Sequence, residues 1–98
     1  MKKKINGCSS VYSAMVSINT QKEMKQFFKD LCTPAEIRAI EERWLIVQLL
    51  NNTDWSYRQI SEKTGASTTT IGRVARFLND ENNKGYRFLL DRLFKNGN

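Results

Sequence analysis

The segment at residues 57–78, YRQISEKTGASTTTIGRVARFL, constrains this chain more tightly than any other. Counted from Tyr57, Gly65 falls ninth, at a tight turn that needs a positive φ, which glycine adopts at little cost. A short helix precedes that turn. A second begins at the run Ser67, Thr68, Thr69, Thr70. Ile60, Ala66, Ile71 and Val74 fall where two such helices must face each other, while Arg58, Ser61, Lys63, Thr68, Thr69, Arg73 and Arg76 fill the intervening positions. The pattern predicts a helix-turn-helix over about residues 56–79. Its polar and basic outer side points to DNA.

Charge supports that direction only in combination with the motif. Sixteen Lys+Arg stand against ten Asp+Glu, a net +6, which suits a polyanion whose condensed counterions are released on binding. Many small domains are mildly basic. The excess gains weight because Arg58, Arg73 and Arg76 lie inside the motif itself. Ninety-eight residues make one domain, small enough for dimerisation to add materially to its stability.

Several function classes drop out. The chain has no histidine, and its two cysteines, Cys8 and Cys32, lack the spacing of a zinc site. Cys32 follows Phe27, Phe28 and Leu31, which predicts a buried, reduced thiol. No glycine-rich phosphate loop is present, and the neighbouring carboxylates Glu41 and Glu42 cannot face one another across a cleft, so an enzyme is not expected. No apolar run approaches the roughly 18–20 residues of a membrane span. The start, MKKKINGCSSVYSAMVSI, has a basic tract and an apolar patch, but serines interrupt the patch and no cleavage signature follows. The reading is a cytoplasmic protein, with residues 1–19 a flexible basic N-terminal arm and residues 20–98 a helical domain.

Helix signals fill that domain. Thr20 caps a segment in which Met24, Phe27, Phe28 and Leu31 recur at helical spacing. Thr33-Pro34-Ala35-Glu36 is a capping box with proline at the first helical position. The helix it opens, to about Leu50, is apolar around most of its circumference: Ile37, Ile40, Trp44, Leu45, Ile46, Val47, Leu49 and Leu50. Such a helix is normally covered on nearly all sides, and a second subunit would supply the cover. Asn51-Asn52-Thr53-Asp54 stops it, and Ser56 with Gln59 repeats the capping box. After the polar loop NDENNKG, ended by Gly85, a last helix carries Tyr86, Leu89, Leu90, Leu93 and Phe94. The fold class is all-α, with five to six helices and no second domain, repeat or low-complexity tract.

The elements CTPAEI, EERWLIVQLL and YRQISEKTGASTTTIGRVARFLN, in that order and without a gap, resemble the Trp repressor superfamily. FFKDLCT upstream and GYRFLLDRL downstream resemble its YerC/YecD-type branch, and the likeness runs from about Phe27 to Leu93. The resemblance implies an intertwined, two-fold symmetric homodimer. In such a dimer the recognition helices enter successive major grooves, roughly 34 Å apart, on an approximately palindromic operator. The implied role is a transcriptional regulator of double-stranded DNA, with repression by steric occlusion as the default direction.

The resemblance also assigns residues. Arg58 takes the place of an arginine that contacts guanine, whose O6 and N7 match the guanidinium fork. Ser67, Thr68, Thr69 and Thr70 open the recognition helix, where short hydroxyls approach the groove floor; Ser67 equally suits a helix cap. Lys63 and Arg76 are either phosphate contacts or solvated. Arg43 and Arg73 match two arginines that sandwich the indole of a bound tryptophan, and Thr33 and Thr70 match two threonines of that site. However, Val74 and Phe77 stand where those members have glycine and serine. The expectation is that both side chains fill the cavity, so that L-tryptophan is not the co-repressor and any effector is unknown. Arg43 then either pairs with Glu41, Glu42 or the partner subunit, or approaches a DNA phosphate beside Arg73. Two other readings stay open: a helix-turn-helix that docks on protein, and a structured RNA ligand, which the A-form major groove disfavours.

Overall fold

Among the described residues, five helices begin on a serine or threonine hydroxyl, which accepts an N–H that the first helical turn leaves without a partner. The computed structural model describes residues 7–80 and 82–94. Among these the chain is all-helical: α1 (Val11–Val16), α2 (Gln21–Leu31), α3 (Pro34–Asn52), α4 (Tyr57–Thr64), α5 (Thr68–Asn79) and α6 (Gly85–Phe94). The capping boxes read from sequence are formed. The Glu36 N–H donates to Thr33 Oγ1 (3.1 Å) while the Thr33 N–H donates to Glu36 Oε1 (2.8 Å). Ser56 and Gln59 make the same reciprocal pair at 3.1 and 2.8 Å.

The chain divides into two units, residues 1–37 and 38–98. In the first, α1 lies within the segment expected to be a flexible arm: residues 11–16 are helical, and the Ser13 N–H donates to the capping Ser10 Oγ at 3.0 Å. The basic tract at residues 2–4 lies outside the described residues. α2 is amphipathic as expected, with Met24, Phe27 and Phe28 half-buried, although Leu31 is exposed and no residue of the helix is fully buried. Cys32 is a correction. It is half-buried rather than buried, because it ends α2 in extended backbone (φ −122°, ψ 152°) instead of continuing the apolar side of the helix.

The second unit holds the core. Ile46 and Val47 of α3, Ile60 of α4, Ala66 of the turn, Ile71, Val74 and Leu78 of α5, and Leu90 of α6 form one buried cluster, with Trp44, Leu49, Leu50 and Tyr86 packed around it. Each fully buried isoleucine or leucine contributes about 1.5–3 kcal/mol. Arg87 Nη1 donates to Asn51 Oδ1 (2.8 Å), tying α6 to the end of α3. The Trp44 and Tyr86 rings lie with centroids 6.5 Å apart. Of the apolar side chains of α3, Ile46 and Val47 are fully buried, Ile37, Ile40, Trp44, Leu49 and Leu50 are half-buried, and Leu45 is exposed. Before α6 the positive φ falls on Lys84 (55°) rather than on Gly85, which is already helical.

Candidate nucleic-acid interface

The helix-turn-helix is held by its own turn. Gly65 adopts φ 83°, ψ −3°, the left-handed conformation that glycine enters with least strain, and its N–H donates to the Ser61 carbonyl at 2.8 Å. Side chains stitch the rest together. Ser61 Oγ donates to the Ala66 carbonyl (2.6 Å), Thr64 Oγ1 donates to the Ile60 carbonyl (2.8 Å), and the Ala66 N–H donates to Thr64 Oγ1 (3.1 Å). With Ile60, Ala66, Ile71, Val74, Ala75 and Leu78 buried, the angle between α4 and α5 is set from inside. Tyr57 adds a ring close to Gly72 of α5.

The opposite side of the motif is polar and open. Arg58 and Lys63 of α4 are exposed, as are Thr68, Thr69, Arg73 and Arg76 of α5. The Arg58 side chain is 88% exposed and its Nε lies 3.7 Å from Glu62 Oε2, one helical turn on. An exposed pair at that distance is worth only about 0.3–0.5 kcal/mol, so the guanidinium is readily released to another acceptor. Ser67 is the N-cap of α5: the Thr70 N–H donates to Ser67 Oγ (3.1 Å), and Ser67 Oγ donates to Thr70 Oγ1 (3.1 Å). Its capping role is therefore occupied. Thr70 is half-buried, which leaves Thr68 and Thr69 as the hydroxyls that face solvent freely.

Arg43, Thr70 and Arg73 come together in a cleft of about 470 Å³, with Ala39, Glu42, Val74, Phe77 and Tyr86 completing its wall. The expected plugging of this space does not occur. Val74 turns into the core at 2% exposure, whereas Phe77, at 50%, lines the wall without closing it. The anticipated pairing of Arg43 with Glu41 or Glu42 is also absent: among the described residues Arg43 makes no ion pair. Thr33 does not line the cleft; it belongs to the first unit and caps α3. Ala39, Glu42 and Tyr86 were not anticipated as lining residues. The first two share a helix face with Arg43 at i, i+3, i+4 spacing, a signal present in the sequence, whereas Tyr86 is brought in by packing alone.

No helix among the described residues is long and apolar enough to cross a membrane. No group of three or more metal-ligating side chains occurs there either.

The Trp repressor protein family matches residues 6–94, further upstream than the stretch whose motifs carry the resemblance. The YerC protein of Bacillus subtilis, itself described as uncharacterized, is 37% identical over 83 residues, covering 85% of this chain and 78% of its own. A TrpR-like protein from Eubacterium eligens superposes with a TM-score of 0.79 at 40% identity, over 85% of this chain and 84% of that one. A Trp-repressor candidate from Staphylococcus aureus gives 0.78 at 31% identity, over 94% and 95% of the two chains. Motif, fold and relatives agree, and the chain belongs to the Trp repressor family, on its YerC-type branch.

Proposed function

We propose that this protein is a sequence-specific, double-stranded-DNA-binding transcriptional regulator. In this reading it acts as a homodimer on an approximately palindromic operator and represses by occlusion; it does not require tryptophan, because Phe77 takes up part of the cleft wall where the tryptophan-responsive members carry a serine. The observation that carries it is the Gly65 turn, which buries the facing sides of α4 and α5 and leaves Arg58, Lys63, Thr68, Thr69, Arg73 and Arg76 on the open side. α5 is the recognition helix in this reading. Arg58 reads guanine through its fork, Thr68 and Thr69 meet base edges or ordered water, and Lys63, Arg73 and Arg76 hold phosphates.

Exposed apolar side chains support the homodimer. Phe88, Leu89, Leu93 and Phe94 of α6 are open, as are Leu45 of α3 and the α1 pair Tyr12 and Val16, at 77% and 84%. A second copy covers such surfaces and presents two recognition helices roughly 34 Å apart, one turn of the duplex. The deciding experiment is selection of fragments of the source genome by purified protein with no ligand added. Enrichment of a short palindrome is the expected result. Featureless retention that salt removes would count against a ligand-free, operator-specific regulator.

A further inference from the structure

Gly72 is the only glycine of α5. It follows Thr68 by four residues and Thr69 by three, and it precedes Arg76 by four, so it shares a face of the helix with all three. That face is recessed where Gly72 lacks a side chain, and a residue of α4 covers the recess. Apart from α5 itself, only Tyr57 Cε2 lies within 4 Å of a Cβ placed at Gly72, at 3.8 Å. Cε2 is bonded to the carbon that bears the hydroxyl. It is therefore the polar end of the ring, not its root, that reaches α5.

Tyr57 opens α4 and is 43% exposed. The side-chain hydrogen bonds at that helix start run among Thr53, Trp55, Ser56 and Gln59, and none among the described residues reaches the Tyr57 hydroxyl. Contact with Gly72 uses the ring alone. The hydroxyl, which can donate and accept, is left for another partner beside Thr68, Thr69 and Arg76.

We propose that the Tyr57 hydroxyl contacts DNA, donating to one backbone phosphate in each half-site, with Gly72 as the gap that lets the ring lie against α5. The proposal rests on the DNA-binding reading above and deepens it. The first residues of a recognition helix meet base edges, here Thr68 and Thr69. Gly72 lies one turn further on, about 6 Å along the axis from Thr68, nearer the rim of the groove where the phosphates run. A hydroxyl at that level meets the sugar–phosphate chain before it meets a base, and tyrosine is among the side chains that bond phosphate. A neutral donor fixes the register of the duplex without neutralising charge, which separates Tyr57 from Lys63, Arg73 and Arg76 in that reading.

The test measures affinity for a duplex carrying the selected palindrome, with wild type, Tyr57→Phe and Arg58→Ala. A second series carries a single methylphosphonate at successive positions of each strand. Tyr57→Phe keeps the ring against Gly72 and removes only the donor. It is expected to bind about 3- to 10-fold more weakly per half-site, with Tm, base preference and salt slope unchanged. At one position in each half-site, methylphosphonate is expected to weaken the wild type more than Tyr57→Phe by the same factor, because the variant has already lost that contact.

Equal methylphosphonate losses in the two proteins at every position overturn the proposal. Altered base preference in Tyr57→Phe also overturns it, since the hydroxyl then reads a base, and so does a Tm that falls together with affinity, since Tyr57 is then a strut between helices. In each of those cases the wild type still selects its palindrome and Arg58→Ala still loses base preference. If instead the wild type selects no palindrome, or Arg58→Ala leaves base preference intact, the DNA reading itself fails and the Tyr57 contact falls with it.

Discussion

Gly65 and Gly72, seven residues apart in one motif, answer to opposite physics. Nothing lies within 4 Å of a Cβ added at Gly65, so any penalty there comes from its φ of 83° alone. Gly65→Ala is expected to destabilise by about 1–2 kcal/mol in denaturant titration. Gly72 is inside α5, and an added Cβ would meet Tyr57 Cε2 at 3.8 Å, an ordinary contact. Gly72→Ala is therefore expected to stabilise by about 0.5–1 kcal/mol in the same assay. Arg58 separates stability from recognition. Its exposed side chain and loose ion pair predict a stability change within about 0.5 kcal/mol for Arg58→Ala. If Arg58 reads guanine as proposed, its loss is expected to remove about 1–3 kcal/mol of discrimination between operator and mutated operator. Equal losses in both measurements would make Arg58 a structural residue.

At the scale of elements, caps and core contribute unequally to holding the motif. Ser56 begins α4 with a reciprocal capping box whose two bonds are 2.8 and 3.1 Å, and Ser56→Ala is expected to remove about 1 kcal/mol. Ile71 of α5 is completely buried in the cluster that joins Ile60, Val74 and Leu90. Ile71→Ala is expected to remove about 2–5 kcal/mol, because the cavity between helices cannot close fully. Thermal unfolding orders the two variants. A milder effect for Ile71→Ala than for Ser56→Ala would mean that local capping, rather than packing, sets the α4–α5 arrangement.

For the whole molecule, the open apolar surface is the feature that bears on assembly. Phe88, Leu89, Leu93 and Phe94 make α6 apolar on sides that the chain itself leaves uncovered, with Leu93 58% exposed. Sedimentation is expected to give twice the 11.4 kDa of one chain. Leu93→Asp is expected to shift it toward monomer and to lower operator affinity steeply, since two half-sites bind together only through a dimer. A monomeric wild type that still selects a palindrome would remove the homodimer from the reading.

Signals that act within a few residues were legible in the sequence. The caps at Thr20, Thr33, Ser56 and Ser67 form because a hydroxyl reaches an N–H three residues on. Gly65 announces its left-handed turn by lacking a Cβ, and the spacing of Ile60, Ala66, Ile71 and Val74 marks the buried side of the motif. α1 escaped notice because six residues without a buried side chain carry little periodic signal, and Lys84 takes a conformation usually associated with its neighbour Gly85. Val74 and Phe77 are three residues apart, yet the first turns into the core and the second lines an open wall. The helices, their ends and the polar, open side of the motif therefore follow from the sequence itself, all consequences of local hydrogen bonding and helical period. That Arg43, Arg73 and Tyr86, distant along the chain, share one open cleft follows instead from how α3, α5 and α6 pack around a common core, which no local pattern encodes.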